Sequence, residues 1–245
     1  MASNIALVLL SIFALSINAG PIESPQDSNI FLNDMRFVDS EDRSAIESER
    51  ARWTNGIVPY YISTSFTSQE RAVLEKGLQM ISSSTCITFR PATTSDQQSY
   101  TYVSIVRGSK NSGCYSYVGR VKRGKQELNI EPDSYCMQPG PVAHEMLHAI
   151  GLHHEMSRPD RDDYIVILEE NMQSGVISNW KKEPNSLTYG TKYDYMSIMH
   201  YGSRAGSKNG KPVMVNKERK EVRMGQLEKL SDSDIVKIKS MYKCN

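Results

Sequence analysis

One stretch of the sequence, residues 142–155, restricts the possible fold more than any other. It reads VAHEMLHAIGLHHE and contains the pattern HExxHxxGxxH. On a helix, positions i and i+4 lie on one face, so His144 and His148 can direct their imidazoles at one point. Gly151 can adopt a positive φ, which lets the helix stop and the chain turn sharply. His154 can then return to the same point as a third ligand.

Three neutral imidazoles with an open fourth position are typical of a catalytic zinc site. Glu145 directly follows the first ligand and can act as a general base toward a water molecule at the metal. The short form HExxH also occurs by chance in ordinary helices, but the added glycine and third histidine lower the rate of coincidence. His153 is an alternative third ligand, but the spacing of HExxHxxGxxH favours His154. The sequence therefore predicts one Zn²⁺ per chain.

The residues around this motif carry a family resemblance. HExxHxxGxxH is the pattern of the metzincins, and HEMLHAIGLHHEMSRPDRDDY followed by SIMHYG at 197–202 resembles the astacin family of secreted zinc endopeptidases. The resemblance runs from about Arg50 to Cys244. It implies an α+β fold of two subdomains, about 44–153 and 154–245. The first would hold a twisted, mixed five-stranded sheet with two long helices above a zinc cleft, and the second would be largely irregular and end in a helix.

The resemblance implies roles for two residues in the SIMHYG stretch. Met199 is similar to the Met-turn methionine that packs beneath the zinc histidines. Tyr201 matches the family tyrosine that can act as a further zinc ligand and donate its phenol proton to the developing oxyanion. The alternative for Tyr201 is a tyrosine that simply packs in the core.

The N-terminus indicates export. Residues 5–17 form a short apolar run followed by small residues, which is typical of a signal peptide, here assigned to 1–19. Residues 20–43 are polar and predict a pro-peptide rather than a folded domain. The sequence therefore predicts a secreted, extracellular protein.

Within this segment, FLND resembles the Phe-x-Gly-Asp motif of astacin pro-peptides. There the aspartate, here Asp34, ligates zinc in place of the catalytic water and keeps the zymogen inactive. Asn33 stands where the family has glycine, so the backbone turn at that position is an open question. The alternative is that Asp34 is one more acid in a polar leader.

The resemblance also places the processing site. The family distance to a tryptophan similar to Trp53 makes Ser44 the first mature residue and Arg43 the processing point. Arg50 and Arg52 are competing basic sites.

Glu155 matches the family glutamate that contacts the buried mature amine. The ammonium of Ser44 would supply the cation that a buried carboxylate needs. The alternative partners for Glu155 are Arg158 and Arg161.

Four cysteines allow three disulfide pairings, and spacing alone does not choose among them. The resemblance implies Cys86–Cys244 and Cys114–Cys136. An exported chain reaches an oxidising compartment in which such bonds persist.

In the rest of the sequence, predicted strands alternate with predicted helices. Residues 57–62, 87–91 and 100–106 predict strands, and a capping box at Thr67 with an apolar stripe predicts a helix at 68–83. Residues 124–130, GKQELNI, predict an edge strand bordering the cleft, which in astacins pairs with the extended substrate. The charged start of 231–245 followed by apolar positions on one side predicts a final helix.

These features predict a zinc-dependent endopeptidase made as a zymogen. The alternative is a catalytically silent, zinc-stabilised binding protein. A third hypothesis is a member of a different branch of the metzincins. The formal net charge of +1 gives no indication of a nucleic-acid or membrane partner. The expected partners are a protein or peptide substrate and an activating protease, and the default state is a monomer.

Overall fold

The computed structural model describes residues 33–37, 51–121 and 126–244. The predicted signal peptide, Ser44 and most of the predicted pro-peptide therefore lie outside the described residues. Among the helices of the described ranges, none combines the length and the apolar composition needed to cross a membrane.

A mixed sheet forms the N-terminal half. Its described strands are, in chain order, β1 (Met35–Arg36), β2 (Ile57–Ile62), β3 (Thr88–Pro91), β4 (Val103–Arg107), β5 (Cys114–Tyr117) and β6 (Gln126–Ile130). Their spatial order is β1-β5-β6-β4-β2-β3. β5 and β6 pair antiparallel, and the other described pairs are parallel. β2 to β6 make the predicted five-stranded sheet, and β1, from the predicted pro-peptide, adds a sixth strand.

The prediction that 124–130 forms an edge strand is wrong. β6 pairs with β4 on one side and with β5 on the other, so it lies inside the sheet. Its polar residues misled the interpretation, because they are buried and hydrogen-bonded within the protein. Gln126 donates to the Gly119 carbonyl at 2.8 Å, and Asn129 donates to the Gly113 carbonyl at 2.8 Å. β5 therefore takes the outer position, and β1 pairs with it.

The described α-helices are α1 (Ser68–Ser82), α2 (Thr94–Gln98), α3 (Pro139–Ala149) and α4 (Asp232–Tyr242). The predicted capping box starts α1: the Glu70 backbone N–H donates to Thr67 Oγ1, and the Thr67 N–H donates to Glu70 Oε2. α1 buries its apolar stripe against α3. At Gly77 a Cβ would lie 2.6 Å from Val142 Cγ1, so glycine allows the two helices to approach closely.

The C-terminal half is largely irregular, as predicted. It contains single-turn 3-10 segments, the antiparallel pair β7 (Ile165–Ile167) and β8 (Met214–Asn216), and the final helix α4. Disulfides join Cys86 to Cys244 and Cys114 to Cys136, the pairing that the resemblance implied. The first bond fastens the end of α4 to the N-terminal half.

Candidate metal centre

α3 delivers two of the three histidines. Proline at N1 suits the start of this helix, because its missing N–H would have no partner there. The helix ends at Ala149, and Gly151 follows with a φ of +110°. The Gly151 N–H donates to the His148 carbonyl at 2.8 Å and the Leu152 N–H donates to the Leu147 carbonyl at 3.0 Å, which closes the last turn. The chain then turns back toward the helix.

The turn brings His154 to the other two histidines, together with Asp34 from the N-terminal segment. The ligand atoms of these four residues all lie within 4.8 Å of one another, and all four side chains are buried. Asp34 Oδ2 lies 3.1 Å from His154 Nε2, 3.3 Å from His144 Nε2 and 4.0 Å from His148 Nε2. The structure thus places three nitrogens and one carboxylate oxygen around one point.

Backbone carbonyls orient two of the imidazoles. Nδ1–H of His144 donates to the Ile198 carbonyl, and Nδ1–H of His148 donates to the Leu152 carbonyl, both at 2.7 Å. This tautomer leaves each Nε2 lone pair facing the cluster, as metal ligation requires. Burial lowers the pKa of His148 well below its usual value and also lowers the pKa of His154, which favours the neutral, ligating form.

Asp34 is held as a carboxylate. Burial alone would raise the pKa of Asp34, but the facing imidazoles, His154 foremost, outweigh this and lower it. The Asp34 carboxylate contributes a negative charge among the imidazole nitrogens, and a divalent cation would balance that charge. Three histidine nitrogens and an oxygen are ligands that zinc accepts in tetrahedral sites. The residues present therefore fit Zn²⁺.

Glu145 lies within the same buried region, beside the first histidine. Its side chain is fully buried, and within the described part of the chain neither carboxylate oxygen has a hydrogen-bond partner. Burial, and then the charge of Asp34, raises the pKa of Glu145 well above its usual value. A buried carboxyl group without partners is rare in folded proteins and is typical of a group reserved for chemistry.

Tyr201 completes the wall of the site. Its phenol donates to Asp34 Oδ1 at 3.0 Å, and its ring centroid lies 4.5 Å from that of His154. Trp180 packs edge-on against the Tyr201 ring, with centroids 5.7 Å apart. Burial, and then Asp34, raises the pKa of Tyr201 well above its usual value, so the phenol keeps its proton.

The segment that carries Asp34 is anchored on both sides. Asn33 adopts a φ of +62°, so asparagine supplies the left-handed turn that was an open question. Its N–H donates to Asn179 Oδ1 at 2.6 Å, and the Asp34 carbonyl accepts from the Ser116 N–H at 2.8 Å. Sequence reasoning did not identify Asn179, since an asparagine in an irregular loop gives no distinguishing signal.

The chain after the third histidine supports the centre through its backbone. The Glu155 N–H donates to the Met199 carbonyl at 2.9 Å. Asp234, at the start of α4, accepts from Ser197 Oγ at 2.6 Å and from the Ile198 N–H at 3.0 Å. Ile198 in turn accepts from His144, so α4 positions the first histidine indirectly. In the sequence, Asp234 belonged only to the charged stretch that predicted the start of the final helix.

Glu155 is buried and accepts from Arg158 Nη1 at 3.0 Å, one of the two alternative partners considered from sequence. Arg161 instead donates to the carbonyls of Met156 and Trp180. Ser44, the other expected partner, lies outside the described residues. A cation that sequence reasoning missed, Lys237, also contacts Glu155.

This fold and this site define a class, the zinc metallopeptidases whose three histidines come from one HExxHxxGxxH stretch. The chain belongs to the astacin family, because the family model described as Astacin, a peptidase family, matches residues 45–243.

Individual relatives agree with this assignment. The chain is 38% identical over 226 residues to the zinc metalloproteinase nas-7 of Caenorhabditis elegans, covering 91% of this chain and 56% of the relative. It is 38% identical over 194 residues to the zinc metalloproteinase nas-14 of the same organism, covering 78% of this chain and 37% of the relative. The chain thus spans between about a third and somewhat over a half of the length of these relatives.

Solved structures show the same similarity. High choriolytic enzyme 1, a hatching enzyme zinc-protease from the medaka fish Oryzias latipes, superposes with a TM-score of 0.73 at 36% identity, covering 81% of this chain and 97% of that chain. Myroilysin, at 20% identity and a TM-score of 0.57, shares the fold.

Proposed function

We propose that this chain is a secreted zinc-dependent endopeptidase made as an inactive zymogen, acting on protein or peptide substrates. The observation that carries the proposal is the cluster of His144, His148 and His154, with Asp34 lying among the histidines. Beside the cluster lies the buried carboxylate of Glu145, which has no hydrogen-bond partner among the described residues. The names of the relatives, zinc metalloproteinases and a hatching enzyme zinc-protease, support the peptidase activity.

The three histidines would hold the metal. Zinc, when bound, polarises the scissile carbonyl and lowers the pKa of the attacking water to about 7. Glu145 takes a proton from that water during attack and later passes a proton to the leaving amine. The Tyr201 phenol, protonated at neutral pH, donates a hydrogen bond to the oxyanion that develops on the carbonyl. The Met199 carbonyl accepts from the Glu155 N–H and so holds the backbone directly after the third ligand.

Asp34 keeps the zymogen inactive in this proposal. Its carboxylate occupies the position that water and substrate need, and its contact with Tyr201 withdraws the phenol from catalysis. β1 lies along β5, the outer strand on this side of the sheet, so the segment also blocks a backbone-pairing edge. An activating protease removes the segment, with Ser44 as the proposed first mature residue.

The test is Glu145→Gln in the processed protein. We expect zinc content to stay at one per chain while kcat falls about 100-fold or more, because general-base catalysis is lost. Glu170→Gln, at an exposed glutamate, is the matched control and should retain full activity. Equal cleavage rates in Glu145→Gln and the parent would refute the assigned base. A parent that binds zinc yet cleaves nothing would favour the silent binding protein.

A further inference from the structure

A short turn lies across the cleft from β5 and contacts the N-terminal segment that carries Asp34. It is the 3-10 turn Ile177–Trp180. The Asn33 N–H donates to Asn179 Oδ1 at 2.6 Å, and on the other side the Asp34 carbonyl accepts from the Ser116 N–H at 2.8 Å. The segment therefore lies between two sets of groups that bind backbone, one on β5 and one on the turn.

The side-chain amide of Asn179 has a defined orientation. Its Nδ2 donates to the Val176 carbonyl at 2.9 Å, and the residue is only 9% exposed. A carbonyl only accepts and a backbone N–H only donates, so the contacts at the two ends of the amide place its nitrogen at Val176 and its oxygen at the cleft. The contact with Val176 is local to the turn and does not depend on the N-terminal segment.

The turn itself is held by the C-terminal half of the protein. The Trp180 carbonyl accepts from Arg161 Nη1, and the Trp180 side chain is 1% exposed. A Cβ at Gly206 would lie 2.7 Å from Trp180 Cη2, so the indole ring packs directly against the backbone there. Each of these contacts is independent of the N-terminal segment. Asn179 Oδ1 therefore keeps its direction toward the cleft when the segment is absent.

An extended peptide can contact both sides of the cleft at once. Successive residues of a strand direct their N–H and C=O groups alternately to the two sides of the strand. The N-terminal segment follows this rule: the carbonyls of Asp34 and Arg36 face β5, and the Asn33 N–H faces Asn179. The alternation holds for either chain direction. A substrate paired with β5 would therefore present N–H groups on the side of Asn179.

The backbone that Asn179 contacts lies close to the metal-binding histidines. Asn33 directly precedes Asp34, whose Oδ2 lies 3.1 Å from His154 Nε2 and 3.3 Å from His144 Nε2. A buried acceptor that loses its partner raises the free energy of the protein, so removal of the segment leaves a site for another N–H donor. The donor that reaches this site belongs to a chain that also lies at the histidines.

We propose that Asn179 is a substrate-binding residue, and that its side-chain oxygen accepts from a backbone N–H of the substrate within two residues of the scissile bond. In the uncleaved chain, Asn33 supplies that N–H. The ligand recognised by Asn179 is the backbone of an extended peptide rather than a particular side chain. The proposal rests on the proposed function for its substrate, and binding of a peptide copy of the segment gives a readout that needs no catalysis.

The first experiment measures, by fluorescence anisotropy, binding of the synthetic peptide FLNDMRFV, residues 31–38, to the zinc-loaded processed protein. A second peptide has an ester in place of the amide that contains the Asn33 N–H. The parent should bind the ester peptide about 10-fold more weakly, whereas Asn179→Ala should bind both peptides equally weakly. Ser178→Ala, at an exposed serine of the same turn, should behave like the parent. Equal binding of the two peptides by the parent would overturn the proposal, and that comparison needs no variant to fold.

The second experiment uses a peptide substrate in which each amide within two residues of the scissile bond is replaced in turn by an ester. At one position the replacement should lower kcat/KM about 10-fold more in the parent than in Asn179→Ala. On the unmodified substrate, Asn179→Ala should raise KM about 10-fold and change kcat less than threefold, because the contact exists before and during the reaction.

Equal losses in the parent and Asn179→Ala at every position would overturn the proposal, while cleavage by the parent would uphold the proposed function. A parent that cleaves nothing would reject the proposed function. The binding comparison of the amide and ester peptides would then still decide whether Asn179 binds peptide backbone.

Discussion

At the scale of single residues, the carboxylate of Asp34 contacts both the metal-binding histidines and the proposed catalytic tyrosine. Its carboxylate touches the histidine cluster through one oxygen and Tyr201 through the other. Burial would raise the pKa of Asp34, but the contacts with the histidines outweigh burial and lower it. The binding of the N-terminal segment to the histidine cluster therefore depends on the charge of Asp34 rather than on the general acidity of the segment.

That dependence predicts the effect of Asp34→Ala. The uncleaved variant should hydrolyse a peptide substrate at least tenfold faster than the uncleaved parent, because its segment no longer occupies the metal. Mass spectrometry before and after the assay confirms that the chain stays intact. Asp27→Ala removes another acid of the same segment and should leave the uncleaved chain inactive. Equal, negligible rates for Asp34→Ala and the parent would contradict the assigned role.

His200 gives a second prediction, for stability against pH. Its Nε2 accepts from the Tyr193 phenol and its Nδ1–H donates to the Tyr201 carbonyl, and burial lowers its pKa from 6.5 to about 4. Between pH 6.5 and about 4, His200 therefore binds a proton in the unfolded chain but not in the folded chain. The free energy of unfolding consequently falls as the pH drops through this range. The full contribution is about 3 kcal/mol.

Urea unfolding of the zinc-free protein at several pH values checks this. Chelation removes the contribution of zinc release from the comparison. The His200→Gln variant should show a shallower loss of stability between pH 6.5 and 4 than the parent. Parallel pH profiles would show that His200 is not the group responsible.

At the scale of elements, the end of α3 decides whether the third ligand reaches the site. Gly151 has a φ of +110°, and a Cβ there would lie 3.4 Å from Met241 Sδ. Gly151→Ala should therefore lower the free energy of unfolding by about 1 to 3 kcal/mol and speed zinc loss, because it strains this turn. Urea unfolding and chelator competition measure the two effects. A stability change below about 0.5 kcal/mol with unchanged zinc loss would contradict the role of this glycine.

The elements also show how far sequence reasoning reaches. The strand at 57–62 and the capping box of α1 follow from local pattern alone, and the structure has both. β6 was misplaced because Gln126 and Asn129 resemble surface residues until their buried carbonyl partners are known. The sixth strand, β1, was not anticipated, since two residues of a polar segment carry no strand signal and pair only because β5 offers a free edge.

The same limit applies to the site. Local spacing identified the three histidines and Glu145, because a helix and one glycine bring them together. Lys237, Asp234 and Asn179 act over long separations in sequence, and each looks like an ordinary helix or loop residue until the fold is known. The contributions of these residues to the metal site depend on tertiary contacts, which the spacing of apolar and polar residues in the sequence does not predict.

At the scale of the whole molecule, the C-terminal helix links the two halves of the chain. Its end is joined to Cys86 by a disulfide, and the Tyr242 phenol donates to the Ile150 carbonyl at 2.8 Å. Its first turn supports the 197–198 turn through Asp234, and its middle reaches Glu155 through Lys237. The metal centre is therefore supported by segments from the start, the middle and the end of the described chain.

The most direct test of the zymogen mechanism follows cleavage of a denatured protein before and after controlled trypsin treatment, with N-terminal sequencing of each sample. Parallel samples carry Glu145→Gln or a zinc chelator. We expect no cleavage by the intact chain, rapid cleavage once a terminus near Ser44 is exposed, and none in either control. Full activity of the intact chain, or activity that survives both Glu145→Gln and chelation, would contradict this account of the protein.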